Sequence, residues 1–549
     1  MASVSSPAST SSRASLLPLL ACALLSSLLF DLPFPIAGPM APWRAIFGWI
    51  AIVPLLAALL APRNVEHPRA LRRAALAGWV SGIAWYILNS YWIYQTMHFY
   101  GGVPPLGSAG ILVLYSLILG LYCGLFSLAI AFLRRRSGDV KLPVLAAPFL
   151  WVGIDLLASR ITSVPWDQLG YSQVDNFWLT HLAPVTGTYG ITFVILFVNA
   201  LFAAAIAKRC WKAAIAGGLA AGILQIGSWM PPKPAPVEAT AVLLQENLKV
   251  ATVNLWPGAE WDTNVARFLR ESETTSNPFY EGLVETGLPL QAADPNPQKI
   301  SLIAWPEAPS PFRDYDPRFR SLARALTTST GAVLVAGNIS ADQGVDAQGQ
   351  SSLKEYNSAT VFSAEGDRVG RYDKIHLVPF GEYVPYRNLL FFAHHLTQAL
   401  GDFDRGTERK VFTLDGKRYG VFICYEAVFG AEVREFAKNG AQVFVNISDD
   451  GWYGDTSAPW QHLNMARMRA IENRRWILRD TNTGVTASID PYGRVVRSAP
   501  RHVFTSLAAP YGFRSDVTFY SEYGDVFPLA CLVVSIGIVG MSIRRRSVA

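Results

Sequence analysis

The stretch Gly420-Val421-Phe422-Ile423-Cys424-Tyr425-Glu426 reads as an apolar strand that ends on a cysteine. Strand-like runs of the same kind recur at Ala239–Leu244, Ile300–Ala304, Ala332–Ala336, Gln442–Ile447 and Ile477–Asp480. Helix-like stretches lie among them at Asn264–Thr274, Pro317–Thr327, Glu432–Asn439 and Trp460–Arg475. Ser358–Ala364 and Arg368–Tyr372 flank Glu365-Gly366-Asp367 in the manner of a hairpin. Alternating strands and helices predict an α/β layered domain over residues 230–525, roughly 290 residues long. Pro231-Pro232-Lys233-Pro234-Ala235-Pro236 leads into it as a stiff linker.

The rest of the chain has another character. Apolar residues make up 51% of the 549 and charged residues 16%, below the roughly 25% of a typical soluble protein. Part of the chain therefore belongs in lipid. Seven apolar runs, at about 15–37, 41–61, 74–94, 107–133, 142–159, 185–207 and 213–229, precede the α/β domain, and Val526–Ile543 follows it. Most approach the ~20 residues a membrane-crossing helix needs. The predicted division is a seven-helix membrane domain over 1–229, an outer domain over 230–525, and a last helix with a basic tail over 526–549. Asp155, inside run 142–159, either faces the bundle interior or sits near the interface.

Loop charges set the orientation. Basic residues cluster at Arg63, Arg69, Arg72 and Arg73, at Arg134, Arg135, Arg136 and Lys141, at Lys208, Arg209 and Lys212, and at Arg544, Arg545 and Arg546. Loops 95–106 and 160–184 hold only Arg160. The positive-inside rule then makes both termini cytoplasmic and puts 230–525 outside. These loops account for the net charge of +6, so no nucleic-acid surface is expected. Leu19-Leu20-Ala21-Cys22 has the form of a lipoprotein cleavage box. The apolar run continues through Leu28, Leu29 and Phe30, however, so it reads as a span.

Of the five cysteines, Cys22, Cys123, Cys210 and Cys531 fall in or beside apolar runs, and Cys424 alone does not. It has no local disulfide partner, and no CxxC pair or Cys/His cluster points to a metal. Ile303-Ala304-Trp305-Pro306-Glu307 places Glu307 just after a strand, and Arg371-Tyr372-Asp373-Lys374 places Lys374 just after the hairpin. Such ends collect active sites in α/β folds. The trio makes chemical sense, because a thiol is a weak nucleophile until a base or a nearby cation raises its thiolate fraction. Glu307 could take the proton, and Lys374 could lower the thiol pKa and hold an oxyanion. Spacing alone leaves a core cysteine and a surface Glu–Lys pair open as alternatives. His376 and His462 read as structural hydrogen-bonders, and Tyr91, Trp92 and Tyr94 as an interfacial belt.

The three motifs resemble the nitrilase superfamily, with its Glu–Lys–Cys triad on an αββα sandwich. Leu377-Val378-Pro379-Phe380-Gly381-Glu382-Tyr383-Val384-Pro385 and Cys424-Tyr425-Glu426 are similar to segments of apolipoprotein N-acyltransferases. So are Asn446 to Asp455, Gln461-His462-Leu463 with Ala470-Ile471-Glu472-Asn473, Pro165 to Gln173, and Tyr523-Gly524-Asp525. The resemblance implies a nitrilase-like α/β sandwich inserted between the transmembrane helices of an eight-span α-helical membrane domain. It implies Glu307 as general base, Lys374 as oxyanion stabiliser and Cys424 as nucleophile. Glu382 would be a supporting glutamate, and Tyr425 and Glu426 would shape the pocket. Trp261 matches the family's functional tryptophan, with Trp256 as a rival because 261–307 looks long and carries an insertion near Ala292–Gln298.

The expected reaction needs no cofactor and no metal. Its partners are a phospholipid acyl donor, a diacylglyceryl apolipoprotein acceptor and the membrane, with no nucleic acid, and the protein is expected to be a monomer. The expected location is the bacterial inner membrane, with the catalytic domain on the periplasmic side. Two departures stand out. Glu246 occupies a place where Gly is usual, and Ser448-Asp449-Asp450 stands where Ser or Thr followed by Asn is commoner. Leu389-Leu390-Phe391-Phe392 is a candidate lid dipping into lipid. Two other functions fit the residues: a membrane-tethered amidase or nitrilase on a water-soluble substrate, and a transporter or receptor. Few intramembrane charges and no paired broken helices count against the latter.

Overall fold

The computed structural model describes residues 15–250, 256–273, 299–307, 310–345, 350–379, 381–383 and 403–544. The candidate lid Leu389–Phe392 and the insertion near Ala292–Gln298 lie outside these residues.

Twelve strands form two six-stranded sheets. In chain order they are β1 (Ala239–Gln245), β2 (Ile300–Trp305), β3 (Val333–Val345), β4 (Ser351–Phe362), β5 (Arg368–Asp373), β6 (Val411–Leu414), β7 (Lys417–Ile423), β8 (Val443–Ser448), β9 (Ile477–Thr481), β10 (Ala487–Ile489), β11 (Val495–Ser498) and β12 (Thr505–Tyr511). One sheet runs β12-β1-β2-β3-β4-β5 and the other β11-β10-β9-β8-β7-β6. Each has three parallel strands at its centre, β1 to β3 and β7 to β9. Antiparallel strands flank them on both sides.

The two-residue period of a strand decides what each face covers. Val242, Leu244, Ile303, Trp305, Leu334 and Ala336 turn toward helices Ala259–Ser272 and Pro317–Thr330, where Phe268, Phe319 and Leu326 close an outer core. Their neighbours Ala241, Leu243, Leu302, Ala304, Val333 and Val335 join the large core that contains β7, β8 and β9. Helices Gly430–Lys438 and Ala458–Asn473 cover the second sheet. The result is the expected αββα sandwich.

Among the described residues, five helices are long and apolar enough to cross a membrane: Pro42–Leu60, Pro105–Ser137, Lys141–Thr162, Thr188–Ala207 and Val526–Arg544. The other three expected spans do not reach that combination of length and apolar character. Leu17–Asp31 and Trp211–Gln225 are helices of only 15 residues, roughly 22 Å at 1.5 Å per residue, against a hydrocarbon core of ~30 Å. Ala70–Asn89 opens on Arg72 and Arg73, which shortens its apolar length. Ala70–Asn89 and Pro105–Ser137 nevertheless pack closely through glycines. A Cβ at Gly82 would stand 2.7 Å from the Gly120 Cα, and one at Gly78 would stand 2.2 Å from the Ser127 Oγ. Small residues allow this approach where no hydrophobic effect drives helices together. Asp155 faces the bundle interior, on a cavity of about 40 Å³ shared with Trp85, Trp151, Trp166 and Asp167.

The two parts share a polar seam. All sixteen residues of Ala458–Asn473 are buried. Its Gln461 accepts from Trp166 Nε1 at 2.8 Å, Arg469 donates to Tyr171 Oη at 2.9 Å, and Glu472 accepts from the Thr188 backbone N–H at 3.1 Å. The sandwich therefore stands on the helical bundle along this helix.

Candidate active site

Strand ends from both sheets meet in one buried group. Glu307 follows β2, Lys374 follows β5, and Cys424 follows β7. Lys374 Nζ donates to Glu307 Oε1 at 2.8 Å and to Glu382 Oε1 at 2.9 Å. Lys374 is 1% exposed, and none of Glu307, Glu382 and Cys424 exceeds 6%. A surface ion pair is thereby excluded.

Asn357, in the middle of β4, donates Nδ2–H to Glu307 Oε1 and to Glu382 Oε1, both at 2.6 Å. The Asp449 backbone N–H reaches Glu307 Oε2 at 2.9 Å, and that of Val378 reaches Glu382 Oε2 at 2.7 Å. Glu307 thus keeps a fixed orientation toward the thiol. Asn357 is a site residue that sequence reading missed. Its half of β4 is polar and part-exposed, so the hairpin was expected to start only at Ser358.

Burial raises the Cys424 thiol well above its usual pKa, and the Glu307 carboxylate adds to the rise. Lys374 opposes them without prevailing. Lys374 does lower the thiol pKa, as expected, but by less than burial and Glu307 raise it. Burial works against the Lys374 charge too, but Glu307, Glu382 and Cys424 together hold its pKa well above the usual value. The lysine is a permanent cation beside any oxyanion.

Cys424 has φ +49°, in the left-handed region. A short 3₁₀ helix, Cys424–Val428, starts on it. Glu426 faces away from the thiol. Its Oε1 accepts from Tyr372 Oη at 2.8 Å and from the Ile375 and His376 N–H groups at 2.7 and 3.1 Å, and its Oε2 accepts from the Ile423 N–H at 2.7 Å. Glu426 therefore ties the segment after Lys374 to the strand before Cys424. Tyr425 donates to the Ser163 carbonyl at 3.0 Å and stacks on Trp166 at 6.4 Å. The residue next to Cys424 thus touches the membrane domain. Trp261 belongs to an aromatic cluster with Trp256 and Phe312, under the Arg318 guanidinium at 4.3 Å. The two rival tryptophans are thus ring neighbours at 6.2 Å. Among the described residues no cluster of His, Cys, Asp and Glu could hold a metal ion.

Gly337 on β3 lets Glu307 sit where it does. A Cβ there would meet the Pro306 carbonyl oxygen at 1.9 Å and the Glu307 Cα at 2.9 Å. Gly337→Ala must displace the Glu307 backbone. It is expected to cost about 1–3 kcal/mol of stability, and about 100-fold in turnover through misplaced chemistry. Denaturant unfolding and steady-state rates measure the two effects.

A carbon-nitrogen hydrolase family model matches residues 248–508. A model described as the apolipoprotein N-acyltransferase N-terminal domain matches residues 26–201. The sandwich and the buried Glu–Lys–Cys group thus define a carbon-nitrogen hydrolase domain joined to a membrane bundle. The chain is 32% identical to the apolipoprotein N-acyltransferase of Geobacter metallireducens, over 96% of this chain and 95% of that protein. It is 32% identical to the proteins of that name from Methylococcus capsulatus, over 91% and 93%, and Ralstonia nicotianae, over 91% and 90%. This chain belongs to the apolipoprotein N-acyltransferase family.

Proposed function

We propose that this enzyme moves a fatty acyl group from a phospholipid to the α-amino group of an N-terminal S-diacylglyceryl cysteine, the last step of bacterial lipoprotein maturation. Cys424 Sγ attacks an ester carbonyl of the phospholipid while Glu307 takes the thiol proton. The ester C–O bond breaks, the lysophospholipid leaves with that proton, and a thioester remains on Cys424. The acceptor amine attacks the thioester carbonyl, Glu307 takes a proton from its nitrogen, and the C–S bond breaks to give an amide. Lys374 faces the oxyanion in both steps, and Glu382 and Asn357 keep Lys374 and Glu307 in place. Trp261, Tyr425 and Glu426 serve as supporting residues. No metal or cofactor takes part.

The observation that carries this reading is the position of the nucleophile at the seam with the membrane bundle, through Tyr425, Ser163 and Trp166. Both substrates carry acyl chains, and each CH₂ left in lipid is worth about 0.8 kcal/mol, so the site must come to the bilayer. The proposed division is 1–229, 230–525 and 526–549, with eight crossings and 230–525 on the periplasmic side of the inner membrane. The basic loops at 63–73 and 134–141 fall on one side only if Ala70–Asn89 crosses as well, and Arg544 joins loop 208–212 on that side only if Trp211–Gln225 crosses.

The test uses the purified full chain in phospholipid vesicles. Intact mass should show one acyl adduct, and peptide mapping should place it on Cys424. A peptide with a free amine on diacylglyceryl cysteine should then discharge it as amide. Release of free fatty acid at the same rate without the peptide would instead establish the amidase-like reading.

A further inference from the structure

His462 sits on the buried helix Ala458–Asn473, with none of its surface exposed. Its Nε2 lies 3.0 Å from the backbone carbonyl oxygen of Cys424. A carbonyl oxygen can only accept, so Nε2 carries the proton and donates. The other side of the ring is held as firmly. Nδ1 lies 2.9 Å from Asp450 Oδ1 and 3.1 Å from Arg479 Nη2, and Arg479 Nη2 also donates to Asp450 Oδ2 at 2.7 Å. Ser448, beside the thiol, donates its hydroxyl to Asp450 Oδ1 at 2.8 Å. The chain of contacts therefore leaves the nucleophile at its sulfur side and returns to its own carbonyl. Gly484 leaves room for it, since a Cβ there would stand 2.3 Å from Asp450 Oδ2. Trp166 and Tyr453 flank the imidazole, with ring centres 5.9 and 6.2 Å away.

The carbonyl that His462 grips belongs to the Cys424–Tyr425 peptide. The N–H of that same peptide is the Tyr425 N–H, in the first turn of the 3₁₀ helix Cys424–Val428. Leading N–H groups of a helix have no partner inside it, so this one is available to an oxyanion formed next to Cys424. The peptide is planar, so a bond to its carbonyl fixes the direction of its N–H. It also strengthens that N–H as a donor, because hydrogen bonds in series polarise one another. Left-handed φ at Cys424 is unfavourable for a residue with a side chain and persists only where its surroundings hold it. His462 supplies part of that hold.

We propose that His462 is a positioning residue of the oxyanion site, acting through the Cys424–Tyr425 peptide rather than on the thiol. The inference rests on the acyl-transfer reading above, and it makes a separable prediction. Thioester formation passes through an oxyanion, whereas alkylation of Cys424 by iodoacetamide does not. A His462 change should therefore slow the first and spare the second. A glutamine amide can reach the place of Nε2, whereas an asparagine amide reaches only the place of Nδ1.

The experiment uses the full chain in phospholipid vesicles. It measures single-turnover acylation of Cys424, the donor concentration at half-maximal rate, and iodoacetamide alkylation. His462→Asn should lose about 100-fold in acylation, the scale of a lost oxyanion donor. Its half-maximal donor concentration and alkylation rate should stay within a few-fold of wild type, and unchanged alkylation also reports an intact site. His462→Gln should recover acylation to within about tenfold of wild type. Equal losses in acylation and alkylation would overturn the proposal, because His462 would then act on the thiol or on folding. So would His462→Asn outperforming His462→Gln. A wild-type protein that never acylates Cys424 yet alkylates normally would sink the acyl-transfer reading instead.

Discussion

Cys424→Ala should carry no acyl adduct and transfer no acyl group. Cys424→Ser should be slower than wild type by on the order of 10⁴-fold or more. Serine keeps the size and position of the nucleophile but offers a far less acidic proton. The thiol is already pushed up by burial and by Glu307, with Lys374 opposing, and the proton of a hydroxyl in the same place is harder still to remove. The same shift predicts a pH dependence. Because the thiol pKa is raised, the thiolate fraction is small at neutral pH and grows as pH rises. Iodoacetamide alkylation of the resting enzyme should keep accelerating past pH 9, with no plateau near neutrality. A plateau below pH 7 would mean a preformed thiolate, and the stepwise role given to Glu307 would be wrong. Serine transferring at the wild-type rate would exclude the thioester.

Much of the sandwich was legible because its strands are short apolar runs with a single solution. Expected Ala239–Leu244 became Ala239–Gln245, and expected Ile477–Asp480 became Ile477–Thr481. The triad was legible through chain position, since each of its residues directly follows a strand or hairpin. Two kinds of feature were not. Asn357 lies where β4 is polar and part-exposed, so alternation gave no signal until the strand's partners were known. His462, read in the sequence only as a structural hydrogen-bonder, lies on a helix that mixes polar with apolar residues, yet every residue of it is buried. Burial there comes from the membrane bundle, and the polar side chains find partners such as Trp166, Tyr171 and Thr188. No periodicity within one helix can announce a polar surface supplied from 300 residues away. Span ends were legible only coarsely, since apolar composition runs on past helix ends at Asp31 and Gln225.

Lys374→Met should be the most damaging change to a residue other than the nucleophile. Wild type places one cation between two carboxylates, at 2.8 and 2.9 Å, with all three groups nearly sealed from water. Removing the cation leaves Glu307 and Glu382 facing each other, joined only by Asn357 Nδ2. Losing one partner of a buried ion pair typically costs about 3–5 kcal/mol, which should lower thermal unfolding by roughly 5–10 °C. One carboxylate must then take a proton to relieve the repulsion. If that is Glu307, the base is lost together with the oxyanion cation, and acylation should fall by at least about 1000-fold. The double variant Lys374→Met with Glu382→Gln separates the effects. Removing the second carboxylate should return most of the lost stability while activity stays low, because the cation is still missing. Full recovery of activity would show that Lys374 only neutralises Glu382. Failure to recover stability would show that the lysine is held by something other than this pair of charges.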